Sequence, residues 1–232
     1  MDTCKLLGRE VPDVFVETGT HKGGTTFRLH SEFQEVYTVE LNQNSYNECT
    51  RKAKIRNITN IRFFQGESQK KLPEMLRELI RNNIQDCVFF LDAHVTNNKT
   101  IYTSRGEIDV PLNLELEIIA AQYPYRCVII IDDTRLLGMP RSAETADADW
   151  SEITQESILL QMDTRAHSWK YMPGATGQDK DRIIIELNDV TVEDEPVEDE
   201  NPVEDENPVE DENPVEDAPN SITQSGGSYL FV

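Results

Sequence analysis

Two apolar, strand-like runs in the middle of the chain each end in acidic residues. Asp92-Ala93-His94 follows Phe89-Phe90-Leu91, and Asp132-Asp133 follows Ile129-Ile130-Ile131. Neighbouring strands of a sheet lie about 4.8 Å apart, so the three carboxylates should converge at one sheet edge. Clustered carboxylates repel one another unless they are protonated or bound to a cation. Oxygen ligands that leave room for water and substrate suit Mg²⁺. The pattern therefore predicts a site for Mg²⁺ (or Mn²⁺) at Asp92, Asp132 and Asp133.

Each of these residues also has an ordinary structural explanation. An Asp at the carboxyl end of a strand often only caps a helix or forms a turn. A single histidine such as His94 is more often a structural residue than a catalytic one. The shared position at one predicted sheet edge is what favours a functional role.

A glycine-containing turn follows the first apolar run. The residues from Glu17 to Thr26 read Glu-Thr-Gly-Thr-His-Lys-Gly-Gly-Thr-Thr, so Gly19 and Gly23 are preceded by an acid. Glycines let the backbone turn sharply and approach a ligand closely. A carboxylate at Glu17 would repel a pyrophosphate but suits a ligand that carries an ammonium group. Thr20 and Thr25 belong to the same candidate binding turn, and Asp92 is a further candidate for contact with the same ligand.

Two further strand ends carry candidate binding residues. Glu40 ends the second run, 23 positions after Glu17. An acid at about this distance from a glycine turn typically accepts hydrogen bonds from ribose hydroxyls. The third run is followed by Gly66-Glu67-Ser68. In a sheet of this kind, that turn should flank an adenine ring.

Strands and helices alternate along the chain, which predicts right-handed βαβ units and a parallel α/β sheet. A closing hairpin is expected where Pro173-Gly174 and Gly177 separate the last two runs. Pro111 should begin a helix, and Asp149 or Ser151 should cap another that runs to Met162. The seven predicted strands are Asp13–Glu17, Glu35–Glu40, Ile61–Gln65, Cys87–Asp92, Cys127–Asp132, Ser168–Met172 and Arg182–Leu187.

The charge distribution divides the chain into a domain at 1–188 and an acidic tail at 189–232. Residues 189–217 hold 15 acidic and no basic residues, and a Pro-Val-Glu-Asp-Glu-Asn repeat begins at Pro196. Such a segment cannot bury enough apolar surface to fold. We expect a disordered tail, with the apolar end Tyr229–Val232 either frayed or docked.

Composition also limits the partners. Neither part has the basic surface that nucleic acids require. No segment reads as a signal peptide or a membrane span. The four cysteines contain no Cys-x-x-Cys pair, so a reducing, cytoplasmic location is the default expectation. The linker-like tail permits a parent multidomain chain, and a homo-oligomer stays open.

Together these motifs resemble the class I S-adenosylmethionine-dependent methyltransferases over roughly Val11–Leu187. The resemblance implies a Rossmann-like fold with a mostly parallel seven-stranded sheet, helices on both faces and a final antiparallel hairpin. It implies that Glu17–Gly23 holds the methionine part of S-adenosylmethionine, Glu40 the ribose, and Gly66–Ser68 the adenine. The Asp92 and Asp132-Asp133 pattern is similar to that of metal-dependent sugar O-methyltransferases of the macrocin and aminocoumarin-sugar type.

That subfamily binds its metal through the corresponding aspartates, and the acceptor hydroxyl coordinates the metal. The base lies two residues after the first Asp and is usually an Asp; here that position is His94. The expected reaction is an in-line methyl transfer to a hydroxyl of a sugar or glycan, for example a deoxyhexose such as rhamnose. A catechol-like acceptor is one alternative. A non-catalytic cofactor-binding module with an acidic interaction tail is another.

Overall fold

Seven strands form one sheet in the computed structural model, which describes residues 10–97, 103–162, 165, 167–174 and 177–190. Their bounds are β1 Val14–Thr18, β2 Glu35–Glu40, β3 Ile61–Gln65, β4 Asp86–Leu91, β5 Arg126–Ile131, β6 His167–Met172 and β7 Arg182–Leu187. These bounds agree with the predicted strands to within one residue. Most of the predicted acidic tail, including Tyr229–Val232, lies outside the described residues, and its disorder stays a prediction.

The strand order is β3-β2-β1-β4-β5-β7-β6. Strands β1 to β5 run parallel, whereas β7 is antiparallel to both β5 and β6. The carboxyl ends of β1, β2, β3, β4 and β5 therefore share one sheet edge, where the chemistry-bearing residues were predicted to meet. The predicted α/β architecture, mostly parallel with a final antiparallel hairpin, is confirmed.

Five helices connect the strands: α1 Gly24–Leu29, α2 Gln43–Ile55, α3 Ser68–Arg81, α4 Leu112–Gln122 and α5 Gln155–Gln161. A short 3₁₀ helix occupies Thr134–Leu136. Pro111 precedes α4 as predicted, because its fixed φ suits a helix start. The predicted cap of α5 was wrong. Thr154, not Asp149 or Ser151, accepts a hydrogen bond from the Ser157 amide and forms a capping box.

The core lies on both faces of the sheet. Along β4, Val88 and Phe90 point to one face, and Phe89 and Leu91 point to the other. Side chains of α3, α4 and α5 cover the Phe89 face, while Leu29 of α1 packs on the Val88 face. Burial on both faces explains why these strands read as unbroken apolar runs. No helix in the described ranges is long and apolar enough to cross a membrane.

Candidate cofactor and catalytic site

A cavity of about 470 Å³ opens along the carboxyl ends of the parallel strands. Its volume falls within the range of small-molecule binding sites. Eight of the residues predicted from the sequence line it: Gly19, Glu40, Gly66, Glu67, Ser68, Asp92, His94 and Asp133. The five other predicted residues lie outside the lining: Glu17, Thr20, Gly23, Thr25 and Asp132. The strand ends thus bring the candidate cofactor turn and the candidate metal residues into one cavity.

The turn after β1 comes very close to the end of β4. Gly19 has a φ of 86°, in the left-handed region. A Cβ added there would lie 2.7 Å from the backbone oxygen of Asp92. Only glycine therefore satisfies both the backbone conformation and this close approach.

Gly19→Ala should abolish S-adenosylhomocysteine binding, because the turn must move away from the Asp92 backbone to make room. It should also lower the free energy of unfolding. Gly138→Ala is the matched control, since Gly138 has a φ of 76° but open space around its Cβ position. The left-handed conformation alone costs about 1–2 kcal/mol for a residue with a side chain. Gly19→Ala should cost about 1–3 kcal/mol more than the control in urea denaturation. Equal losses would show that the contact carries no energy.

Glu17 is buried beneath the turn instead of facing the cavity. Its carboxylate accepts hydrogen bonds from the hydroxyls of Thr26, on α1, and Thr38, on β2 at 2.7 Å. Thr20 in turn shares a 2.6 Å hydrogen bond with Thr38. Burial raises the pKa of Glu17 to about 7, although the two threonine hydrogen bonds oppose the shift. Glu17 therefore connects β1 to β2 and to α1 through side-chain hydrogen bonds.

Glu40 sits at the edge of the cavity and holds the two turns that flank it. One carboxylate oxygen accepts a 2.6 Å hydrogen bond from the His21 amide, and the other accepts one of 2.7 Å from the Asn42 amide. Each carboxylate oxygen can accept a further bond, so Glu40 remains able to bind a pair of hydroxyls. His21 itself lines the cavity. No sequence motif indicated a role for His21.

The turn after β3 forms the next part of the wall. Glu67 precedes α3 and pairs with Lys70 at 3.0 Å, which lowers the pKa of its carboxyl. It also accepts a 3.2 Å hydrogen bond from the Glu107 amide. Glu67 therefore joins this turn to the long connection after β4. Gly66 and Ser68, on either side of it, line the same stretch of cavity.

Asp92, His94 and Asp133 form a compact cluster at the other end of the cavity. Each offers one ligand atom within 4.8 Å of the other two. His94 Nδ1 lies 3.6 Å from Asp92 Oδ1, and His94 Nε2 lies 3.3 Å from Asp133 Oδ2. The backbone of Asp133 has a φ of 60°, a conformation that aspartate adopts more readily than most residues. Two carboxylates and an imidazole are donors that a divalent cation accepts.

Asp132, the third predicted ligand, has a different partner. Arg182 on β7 donates two hydrogen bonds to it, from Nε to Oδ1 and from Nη2 to Oδ2, both at 2.9 Å. This bidentate geometry is the strongest arrangement for an arginine and a carboxylate. Both side chains are largely buried, at 7 % and 16 % exposure for Arg182 and Asp132. The structure thus groups His94, and not Asp132, with Asp92 and Asp133.

The electrostatics of the cluster follow from burial and like charge. Desolvation, together with repulsion from Asp132 and Asp133, raises the pKa of Asp92 well above its usual range. Burial lowers the pKa of His94, although the neighbouring aspartates oppose that shift. Both pKa shifts favour the uncharged forms of Asp92 and His94. A bound cation would offset the repulsion between the carboxylates.

The sheet has the strand order of the class I methyltransferase fold. The sequence matches no family model and no curated protein. Solved structures with a similar fold include an rRNA methylase from Streptococcus thermophilus, 14% identical, with a TM-score of 0.46, 78% of this chain covered and 91% of that one. An O-methyltransferase from Bacillus cereus in complex with S-adenosylhomocysteine is 14% identical, with a TM-score of 0.48 and coverages of 76% and 74%.

A third such structure is a geranyl diphosphate C-methyltransferase from Streptomyces coelicolor, in complex with Mg²⁺, geranyl diphosphate and S-adenosylhomocysteine. It is 14% identical, with a TM-score of 0.45 and coverages of 79% and 75%. Identities of this size carry no information about the acceptor.

The long connections after β4 and after β5 form a further part of the cavity wall. Arg105, after β4, pairs with Asp109 and also with Asp147 at 2.8 Å. Arg141, after β5, pairs with the same Asp109 and donates to the Asp147 backbone oxygen at 2.8 Å. The four residues tie the two connections to each other. An acceptor in this part of the cavity would contact a wall held together by ion pairs.

Glu115 is a buried acid that is not among the site residues predicted from the sequence. It lies on α4 and is 1 % exposed, with hydrogen bonds from the hydroxyls of Thr18 and Ser68. Burial raises its pKa to about 7. A signal was present in the sequence, because Glu115 is three residues after Leu112 and four before Ile119, on the apolar face of the helix.

Glu115→Gln should make the protein less sensitive to alkaline pH. The folded-state pKa is about 7 against an ordinary 4.5, so the stabilisation is complete below about pH 4.5 and is lost as pH rises through 7. Relative to wild type, the unfolding free energy of Glu115→Gln should therefore rise by about 3 kcal/mol between pH 4.5 and 8. Urea denaturation across that range measures it. Glu117→Gln, on the exposed side of the same helix, is the control; an equal pH trend in both variants would contradict the prediction.

Proposed function

We propose that this protein transfers a methyl group from S-adenosylmethionine to a hydroxyl group of a sugar or glycan, with the help of a divalent cation. The observation that carries the proposal is the single cavity with two differently equipped ends. Glu40 and the turn at Gly66 follow β2 and β3 at one end, Asp92, His94 and Asp133 follow β4 and β5 at the other, and the turn at Gly19 lies between them beside Asp92. A donor and an acceptor bound in one cavity need only be aligned, because the sulfonium is already activated.

The cofactor end has groups that fit the nucleoside part of S-adenosylmethionine. Glu40 keeps acceptor capacity for two ribose hydroxyls, and its carboxylate is held in place by the His21 and Asn42 amides. Six acidic residues and one arginine line the cavity. This excess of negative charge favours a cationic sulfonium donor and disfavours phosphorylated or nucleic-acid acceptors.

The acceptor end has groups suited to a neutral hydroxyl. A divalent cation held by Asp92, His94 and Asp133 would lower the pKa of that hydroxyl and fix its position. Mg²⁺ (or Mn²⁺) is the cation that the sequence predicted. The released proton would pass to water or to the carboxylate oxygen of Asp92 that does not hold the cation, because a cation-bound imidazole has no lone pair left to accept it.

Calorimetry with S-adenosylhomocysteine tests the cofactor half. Wild type should bind at micromolar level, meaning roughly -8 kcal/mol. Glu40→Gln should weaken binding by about 1–3 kcal/mol, because an amide is a poorer acceptor than a carboxylate. Glu35→Gln, at the far end of the same strand, is the matched control. Undetectable binding by wild type, or equal affinities in all three proteins, would remove the proposed cofactor site.

A panel of acceptor molecules tests the proposed acceptor class. Methyl transfer from labelled S-adenosylmethionine should reach deoxyhexoses such as rhamnose and leave catechols unmodified. Transfer to catechols alone would favour the small-molecule alternative. Cofactor binding without transfer to any acceptor would favour a non-catalytic module with an acidic interaction tail. We propose a reducing compartment such as the cytoplasm, because Cys49, Cys87 and Cys127 are free and buried.

A further inference from the structure

The spacing between His94 and Asp133 fits a shared cation better than a direct hydrogen bond, and Asp92 offers a third ligand atom within 4.8 Å of theirs. Charge-assisted N–H···O bonds are about 2.7–2.9 Å long, whereas His94 Nε2 lies 3.3 Å from Asp133 Oδ2; the other ring nitrogen, Nδ1, lies 3.6 Å from Asp92 Oδ1. Ligands that bind one cation at about 2.0–2.2 Å lie roughly 3–3.5 Å from one another. The 3.3 Å between His94 Nε2 and Asp133 Oδ2 matches that distance.

Two arginine side chains bind the nearby carboxylate oxygens that could otherwise hold the cation. Asp132 is bound in a bidentate pair by Arg182. Arg135 pairs with Oδ1 of Asp133, so the other oxygen, Oδ2, faces His94. One side of the imidazole is fixed by a hydrogen bond to the Asp92 backbone. Metal-binding histidines usually have such a bond on the nitrogen that does not bind the metal.

We infer that Asp92, His94 and Asp133 bind a later first-row transition-metal cation of the Co²⁺ type in preference to Mg²⁺. Imidazole is a good ligand for the later metals of that row, whereas Mg²⁺ is bound through oxygen atoms. An all-carboxylate set of Asp92, Asp132 and Asp133 would favour Mg²⁺. The exchange of Asp132 for His94 changes the cation class. The catalytic use of this cation rests on the proposed methyl transfer, but its binding does not.

A small cavity beside the cluster has room for a water molecule that would be a further ligand of the cation. This cavity of about 10 Å³, the room of one water molecule, is lined by Asp92, His94, Glu115 and Trp150. Glu115 Oε1 and Trp150 Nε1 are both buried, and neither has a hydrogen-bond partner among the described residues. A water molecule there would accept from the indole, donate to the carboxylate and keep a lone pair for the cation.

Titration of the metal-free protein with CoCl₂, followed by visible absorption, tests the assignment. Wild type should develop a Co²⁺ spectrum, and His94→Ala should weaken Co²⁺ binding by at least roughly tenfold. His94→Asp restores an all-carboxylate set. Competition with MgCl₂ should therefore show that its preference for Co²⁺ over Mg²⁺ is roughly tenfold or more below that of wild type. His21→Ala is the control, because His21 lines the same cavity outside the cluster.

Three results would overturn the inference: no Co²⁺ spectrum in wild type, unchanged Co²⁺ affinity in His94→Ala, or an unchanged metal preference in His94→Asp. Melting temperatures show whether each variant is folded. Calorimetry with S-adenosylhomocysteine on the same samples separates this result from the proposed function. Cobalt binding without S-adenosylhomocysteine binding would leave the cation site and remove the methyltransferase proposal, and the reverse result would do the opposite.

Discussion

Asp133→Asn should lower methyl transfer by about 10²–10⁴-fold and leave the affinity for S-adenosylhomocysteine unchanged. The expected separation has a geometric basis. Asp133 follows β5 at one end of the cavity, whereas Glu40 and the Gly66 turn follow β2 and β3 at the other. An amide keeps the shape of the side chain but loses the charge that holds a cation. Asp92→Asn should lower methyl transfer to a similar extent, since Asp92 belongs to the same cluster.

EDTA treatment of the wild-type enzyme should reproduce the effect of either substitution. Added cation should restore the activity of the treated wild type but not that of the two variants. Asp86→Asn is the matched control. Asp86 begins the strand whose carboxyl end leads to Asp92, and it pairs with Arg126 far from the cavity. Rates are compared at saturating S-adenosylmethionine. Full activity in EDTA would exclude the cation from the reaction and leave Asp92 and Asp133 with structural roles.

The sequence was sufficient to predict where the strands end because their signal is local. Runs such as Val128–Ile131 are buried on both faces and stop at a charged residue, which marks the carboxyl edge of the sheet. Once strand order and direction are known, Glu40, Asp92 and Asp133 must share that edge. This part of the site therefore follows from pattern and topology alone.

The partners of charged side chains could not be predicted in the same way. Asp132 and Arg182 are 50 residues apart and meet only because β7 enters the sheet antiparallel beside β5. The sequence contains no signal for that contact, so Asp132 looked equivalent to Asp133. Glu17 was assigned to the ligand for a similar reason. Its burial under Thr26 and Thr38 depends on how α1 packs, which the glycine motif does not specify.

The buried pair between Asp132 and Arg182 leads to the second large expected effect. Arg182→Met should lower the free energy of unfolding by about 3–5 kcal/mol, because it leaves Asp132 buried without its counter-charge beside two other carboxylates. Urea denaturation in EDTA measures the loss without a contribution from bound cation. The Arg126–Asp86 pair, also between neighbouring strands, is the control, because its arginine is 58 % exposed against 7 % for Arg182. Arg126→Met should cost less than about 1 kcal/mol, because exposed ion pairs contribute little.

A double-mutant cycle separates the lost pair from the lost packing of the arginine side chain. Asp132→Asn in the Arg182→Met background removes the unpaired charge, so the double variant should be more stable than Arg182→Met alone. Most of the 3–5 kcal/mol should return, since about that much is the cost of the isolated carboxylate and not the net value of the ion pair. If the two substitutions are simply additive, Arg182 stabilises the sheet by packing, and Asp132 would then be as available to a cation as Asp133.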